Sequence, residues 1–276
     1  METAARERAV AAAKAVAESF GLRADDAVVL NDSNKLTLRL MPCDTVARVA
    51  PLEHRAVQFE IDIAQRLAEA DCPVAALDPR IEPRVHTRDG CNITFWTHYE
   101  PVSAESIPPA EYARALGKLH TGMRTIDIAA PHFTDRVDEA QQILADRRIS
   151  PDLPEPERAL LADTLERLRR ATAESGKDQL LHGEPHPGNL LATEHGPLFI
   201  DFETCCYGPV EFDLAHAPDA LAEHYPGADL ELLHQCRMLM LAMIITWRWD
   251  KDDQLPGGRD LGAEWLDQLR AALDAN

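Results

Sequence analysis

Apolar and polar positions alternate with two different periods along the first hundred residues. Residues 2–20 are dense in alanine, glutamate and arginine and run up to Gly21, which predicts a helix closed by a glycine. From 27 to 50 the period shortens to that of strands. AVVLNDSNKLTLRL reads as two strands around the turn-forming NDSN, and TVARVA as a third strand ended by Pro51. Residues 52–70, LEHRAVQFEIDIAQRLAEA, return to helical spacing without glycine or proline. Glu60 falls on the apolar stripe of that helix, with Ala56, Ile63, Ala64 and Leu67, and a carboxylate on a core-facing stripe requires a partner. RVHTRDG and CNITFWTHY then form a strand pair around Asp89-Gly90, a dipeptide that favours a tight hairpin turn.

The polar, proline-rich EPVSAESIPP at 100–109 separates this part from a mainly helical remainder. Helical spacing recurs at 109–121, 155–174 and 227–249, while NLLAT and PLFID are short strands around the turn EHG. The pattern predicts an α+β chain: residues 1–100 with an antiparallel sheet and a helix, and residues 101–276 larger and mainly helical.

Composition adds few constraints. With 45% hydrophobic and 27% charged residues in 276, the chain is expected to fold throughout. A net charge of −19, spread along the sequence, opposes nucleic acid and anionic membrane surfaces and attracts cationic small molecules. Six cysteines without a CxxC pair read as reduced thiols, and the N-terminus lacks the uninterrupted apolar run of a signal peptide, so a cytoplasmic protein is expected. MLMLAMIITW, at 238–247, is too short to span a bilayer and reads as a buried helix.

The chemistry gathers in LHGEPHPGNLL, at 181–191. His182, Glu184 and His186 invite a metal reading, but a HExxH zinc site needs a helix to bring two histidines onto one face. Gly183, Pro185 and Pro187 oppose that helix. Phosphoryl transfer fits better. It needs an acid to orient a hydroxyl and oxygen ligands for a cation, and Glu184, Asn189 and Asp201 supply these types, with a hairpin between Asn189 and Asp201 to bring those two together.

HGEPHPGN followed by IDFE resembles the catalytic loop and metal-binding segment of the aminoglycoside phosphotransferase and choline kinase-like enzymes, distant relatives of protein kinases. The likeness extends to VARV at 46–49 as the third strand, Glu60 on the helix that pairs with it, FWTHYEP as the hinge, ALGKLH at 115–120, and GPVEFDLAH. It implies a bilobed protein-kinase-like fold with a nucleotide-binding lobe at 1–100 and a catalytic and substrate-binding lobe at 101–276. It implies ATP or GTP as co-substrate, Mg²⁺ held by Asn189 and Asp201, and Glu184 at the substrate hydroxyl. Arg48 paired with Glu60 would steady phosphate, Ser33 and Asn34 of NDSN would lie over the phosphates, and the chain around Trp96 and His98 would receive the base. His182 and His186 would brace the loop.

Three positions depart from the family pattern. Arg48 stands where lysine is usual, Glu184 where aspartate is usual, and NDSN lacks glycine. The expected activity is transfer of a γ-phosphate to a hydroxyl of a small substrate; Glu203, Glu211 and Asp213 would suit a cationic one, although Asp213 within EFDLAH reads more simply as a helix cap or loop-bracing acid. The alternative is a kinase-fold binding protein that has lost efficient transfer.

Overall fold

The computed structural model describes residues 3–103 and 107–274, so part of the 100–109 linker lies outside the described residues. The chain divides into two compact units. One comprises Met1–Ile126 and Gly188–Thr204, the other Asp127–Pro187 and Cys205–Asn276.

In the first unit, helix α1 (Thr3–Ser19) buries Ala9, Ala12, Ala13, Val16 and Ala17. Gly21, at φ 77°, ends it: the Gly21 and Leu22 amides return to the Glu18 and Ala17 carbonyls, satisfying two orphan acceptors. Strands β1 (Ala24–Asp32), β2 (Leu36–Pro42), β3 (Thr45–Pro51), β4 (His86–Arg88) and β5 (Cys91–Thr97) form one antiparallel sheet in the order β1-β2-β3-β5-β4. Alternation gives the sheet two distinct faces. Leu36, Leu38, Leu40, Ala47, Val49 and Ile93 join the alanines of α1 in one apolar core. Thr37, Arg48 and Thr94, aligned across β2, β3 and β5, take the opposite face.

The β4–β5 turn is the one expected, with both Asp89 (φ 48°) and Gly90 (φ 79°) left-handed. The first hairpin differs from its expectation. Strand β1 continues through Asn31 and Asp32, and the turn falls at 33–35. Asp32 is held there by an ion pair with Arg6 of α1, which compensates for its poor strand propensity.

Helix α2 (Val57–Glu69) starts five residues later than the spacing suggests, because 52–56 form turns and the His54 amide donates to the Pro51 carbonyl. Its buried stripe holds Glu60, Ile61, Ile63, Ala64 and Leu67. Helix α3 (Pro109–Met123) and the hairpin β7 (Leu190–Thr193) and β8 (Gly196–Phe199) complete the unit. Residues 73–75 hold the end of β8: Phe199 donates its amide to the Pro73 carbonyl and accepts from Ala75.

The second unit holds α4 (Phe133–Ala145), α5 (Glu155–Ala173), α6 (Val210–His216), α7 (Leu230–Arg248) and α8 (Gly258–Asp274), with a ribbon of β6 (Gln179–Leu181) and β9 (Cys206–Gly208). Helix α7 is long and apolar enough to cross a membrane by length and composition alone, but half of it is buried, packed against α4, α5, α6 and α8. Helices α4 and α8 went unread in the sequence. Phe133, Val137, Ala140 and Leu144, all buried, carry helical spacing in α4.

Candidate active site

On the sheet face opposite α1 lies a cavity of about 590 Å³. Val46, Ala75, Trp96, Leu191 and Ile200 form apolar walls, while Arg48, Asn189 and Asp201 bring charge and an amide. Of the residues read from the sequence, Arg48, Trp96, His98, Asn189 and Asp201 meet here, with Asn31. Ser33 and Asn34, which lie in the turn at 33–35, are not among the residues that line the cavity. The β7–β8 hairpin brings Asn189 and Asp201 together as expected: they flank its two strands, and the Ile200 amide donates to the Asn189 carbonyl at 3.1 Å. Asp201 adopts a left-handed φ of 69°, a conformation that aspartate tolerates better than most residues and that concentrates at functional sites.

Glu60 is the buried carboxylate that the helical stripe required a partner for, and Arg48 is that partner. Arg48 also reaches Asp201 Oδ1 through Nη2 at 3.2 Å, with its guanidinium carbon 5.7 Å from the centre of the Trp96 ring. A second cation, missed in the sequence, completes the cluster. Lys35 lies in the β1–β2 turn, yet is only 7% exposed. Its Nζ stands 2.7 Å from Glu203 Oε1, 3.0 Å from Asp201 Oδ1 and 3.4 Å from Glu60 Oε2. His54 Nε2 meets Glu203 Oε1 at 2.6 Å.

Burial would raise the Asp201 carboxyl, but Arg48 and Lys35 outweigh it and hold it below the usual carboxylate range. Glu60 goes the other way, pushed up by complete burial and by its two acidic neighbours against the pull of the same cations. Ligand oxygens of Glu60, Asp201 and Glu203 lie within 4.8 Å of one another. The donors are all hard oxygens, and Asp201 shares the cavity with the Asn189 amide, which is the donor chemistry of Mg²⁺ or Ca²⁺ rather than zinc.

The histidine loop belongs to the second unit. Gly183, at φ 89°, makes the turn, and the His182 and Gly183 amides both donate to the carboxylate of Asp213, at 2.9 and 2.8 Å. Asp213 is therefore the loop's brace, fully buried. His182 is also fully buried and accepts from the Glu184 amide at 3.4 Å, in keeping with a bracing role. Glu184 is ion-paired with Arg136 of α4, and that guanidinium also donates to the Gly183 carbonyl at 3.3 Å and lies over Trp247, 5.3 Å from its ring centre. Arg136 was not read from the sequence; a lone arginine in an amphipathic helix gives no local signal.

The acids offered for a cationic substrate are all engaged internally. Glu203 serves Lys35 and His54, Glu211 accepts the Asp229 amide at 2.9 Å, and Asp213 holds the loop. His216, beside Phe212, buries a ring nitrogen with no hydrogen-bond partner among the described residues. Burial pushes its pKa down to about 4.

A family model described as "Phosphotransferase enzyme family" matches residues 24–239. No curated protein matches the sequence. Among solved structures, the chain resembles a choline/ethanolamine kinase family protein from Mesorhizobium loti at 18% identity and a TM-score of 0.72, covering 97% of this chain and 94% of that one. It resembles amicoumacin kinase hAmiN, solved with AMP-PNP, Ca²⁺ and Ami, at 12% identity and a TM-score of 0.71, covering 98% and 96%. It also resembles the GDP complex of wild-type aminoglycoside 2'-phosphotransferase-IIIa at 13% identity and a TM-score of 0.68, covering 93% and 96%. At these identities the likeness is one of fold, and the fold is protein-kinase-like: an N-terminal five-stranded antiparallel sheet with its helix, ahead of a larger helical part.

Proposed function

Because the chain belongs to the phosphotransferase enzyme family, we propose that it is a small-molecule kinase that transfers the γ-phosphate of ATP or GTP to a hydroxyl group. The observation that carries this reading is the cavity of the first unit, a largely apolar slot whose lining joins Trp96 with Arg48, Asn189 and Asp201. A slot of that kind suits a base at one end and phosphates at the other. In this reading residues 1–100 are the nucleotide-binding lobe, residues 101–276 the catalytic and substrate-binding lobe, and the protein works in the cytoplasm.

The main chain from Trp96 to Glu100 receives the base, and the apolar walls exclude water from it. Arg48, oriented by Glu60 and lying over Trp96, binds phosphate through the free part of its fork. Asn189 and Asp201 would hold a divalent cation, Mg²⁺ in this reading, which when bound neutralises charge on the phosphate oxygens. Glu184, steadied by Arg136, orients the acceptor hydroxyl and takes its proton. The acceptor is a small alcohol. With Glu203, Glu211 and Asp213 engaged, a preference for cations rests only on the overall charge of −19.

Calorimetry with ATP and with GTP in Mg²⁺, followed by ADP or GDP release across hydroxylated amines, aminoglycosides and uncharged alcohols, tests the reading. Binding of one nucleotide and turnover of at least one alcohol are expected; no binding of either nucleotide, with silence across the panel, overturns it. The second reading, a binding protein without efficient transfer, is favoured by the ion pairs on both reactive carboxylates, Glu184 with Arg136 and Asp201 with Lys35 and Arg48. The double variant Arg48→Lys/Glu184→Asp separates the two: an enzyme tuned to its own pair loses turnover, whereas a decayed one gains it.

A further inference from the structure

The cation that the sequence leaves out of the site is Lys35. We propose that Lys35 is a phosphate-positioning residue that supplies the point charge missing from β3, and that without nucleotide it holds Asp201 in place of a divalent cation. The first half rests on the kinase reading above; the second, competition between Lys35 and a metal ion for Asp201, does not.

Lysine in a hairpin turn ordinarily projects into water. Lys35 instead turns inward, 7% exposed, with an ammonium that meets three carboxylates between 2.7 and 3.4 Å. Arg48 Nη2 approaches the same Oδ1 of Asp201 that Lys35 does. Arg48 is fixed by Glu60 on one side and the Trp96 ring on the other, and its planar fork cannot follow a moving phosphate. Lys35 is a compact charge on a flexible four-carbon stem rooted in a turn, so it can pivot where Arg48 cannot.

The oxygens around Lys35 Nζ lie within 4.8 Å of one another, a spacing that one oxygen-bound divalent ion can span. An ammonium and a metal ion cannot share them, because two like charges a few ångströms apart repel strongly in a partly buried site. Lys35 must therefore leave Asp201 before a metal ion can take it. A nucleotide phosphate oxygen gives Lys35 a replacement partner, so one side-chain movement couples metal loading to nucleotide binding.

The test uses the whole chain and Mn²⁺ as the metal probe. Lys35→Met is expected to bind Mn²⁺ in the absence of nucleotide about tenfold or more tighter than wild type, by calorimetry or by electron paramagnetic resonance of free Mn²⁺. The same variant is expected to bind the ATP or GTP analogue at least about thirtyfold more weakly. A merely structural lysine would lower the melting temperature and leave both affinities unchanged. Should Lys35→Met fail to fold, Lys35→Gln, which removes the charge but leaves a polar group facing the three carboxylates, carries the same two expectations. Unchanged Mn²⁺ affinity in the folded variant overturns the competition, and unchanged analogue affinity overturns the phosphate role. If wild type binds neither nucleotide, the kinase reading fails by itself, while the Mn²⁺ comparison still decides the competition.

Discussion

Asp201 in the first unit and Glu184 in the second are both ion-paired, but the supporting structures differ. Asp201 belongs to a network of three carboxylates and two cations, rooted in a strand, a turn and a helix; Asp201 itself is 32% exposed, while Glu60, Lys35, Arg48 and Glu203 are at most 15% exposed. Glu184 has a clamp from Arg136, with both side chains partly open, at 26% and 17% exposure. A buried network couples its members, so removing one takes a partner from each of its neighbours. A single, partly exposed clamp contributes less to stability and acts mainly on where its carboxylate points. The contrast predicts that damage to the first unit's charges appears in stability, and damage to the second unit's in rate.

The largest expected effect is therefore Glu60→Ala, which leaves Arg48 and Lys35 to the two remaining acids and is expected to cost about 3–5 kcal/mol in urea unfolding. A cost near that of a surface pair would dissolve the distinction between network and clamp. The second unit holds a buried titrating group of comparable weight, His216. His216 has a folded pKa of about 4 against an ordinary value near 6.5, so the folded protein holds fewer protons than the unfolded chain between those limits. Its contribution to stability is complete above about pH 6.5 and falls away as the pH drops toward 4, by on the order of 3 kcal/mol. His216→Phe, beside Phe212, should flatten that part of the stability–pH curve; an unchanged slope would remove His216 as its source.

Arg136→Met isolates the clamp. Stability should fall by no more than about 1 kcal/mol, because the pair is partly exposed and screened. Turnover should fall about ten- to a hundredfold, since Glu184 loses the group that aims it. The loss should lie in kcat with little change in the nucleotide's KM. Equal losses in both would mean that Arg136 supports the fold rather than the reacting group.

The same contrast explains what could be read from the chain alone. Periodicity located the sheet, the Asp89-Gly90 turn and the helices around Glu60 and α7, because each obeys one local pattern. Glu60 could be flagged as needing a partner, and VARV supplied Arg48, because strand and helix each exposed one anomalous charge. Lys35 was not legible: a lysine after NDSN looks like a solvated turn residue, and only the inward path of the chain after Asp32 reverses that. Arg136 was hidden for a similar reason, since nothing in DRVDE distinguishes an arginine that reaches a loop 48 residues away from one in water. Asp213 remained ambiguous between cap and brace until the two amides that it accepts were in view.

Two glycines give the smallest effect and the tightest control. Gly90 and Gly183 both hold left-handed φ, 79° and 89°, so an alanine at either is strained by about 1 kcal/mol. A Cβ at Gly90 meets nothing within 4 Å, so strain is its whole cost. Gly90→Ala should lower stability by that amount and leave nucleotide affinity and turnover unchanged. Gly183 donates to Asp213 and precedes Glu184, so a shift of its backbone moves the carboxylate that the clamp positions. Gly183 is buried, so Gly183→Ala should cost at least as much stability as Gly90→Ala and also lower kcat, by an amount that shrinks once Arg136→Met has already released Glu184. Additive losses in the double variant would mean that Arg136 and the Gly183 turn act on Glu184 independently, and the single clamp would have to be redrawn as two.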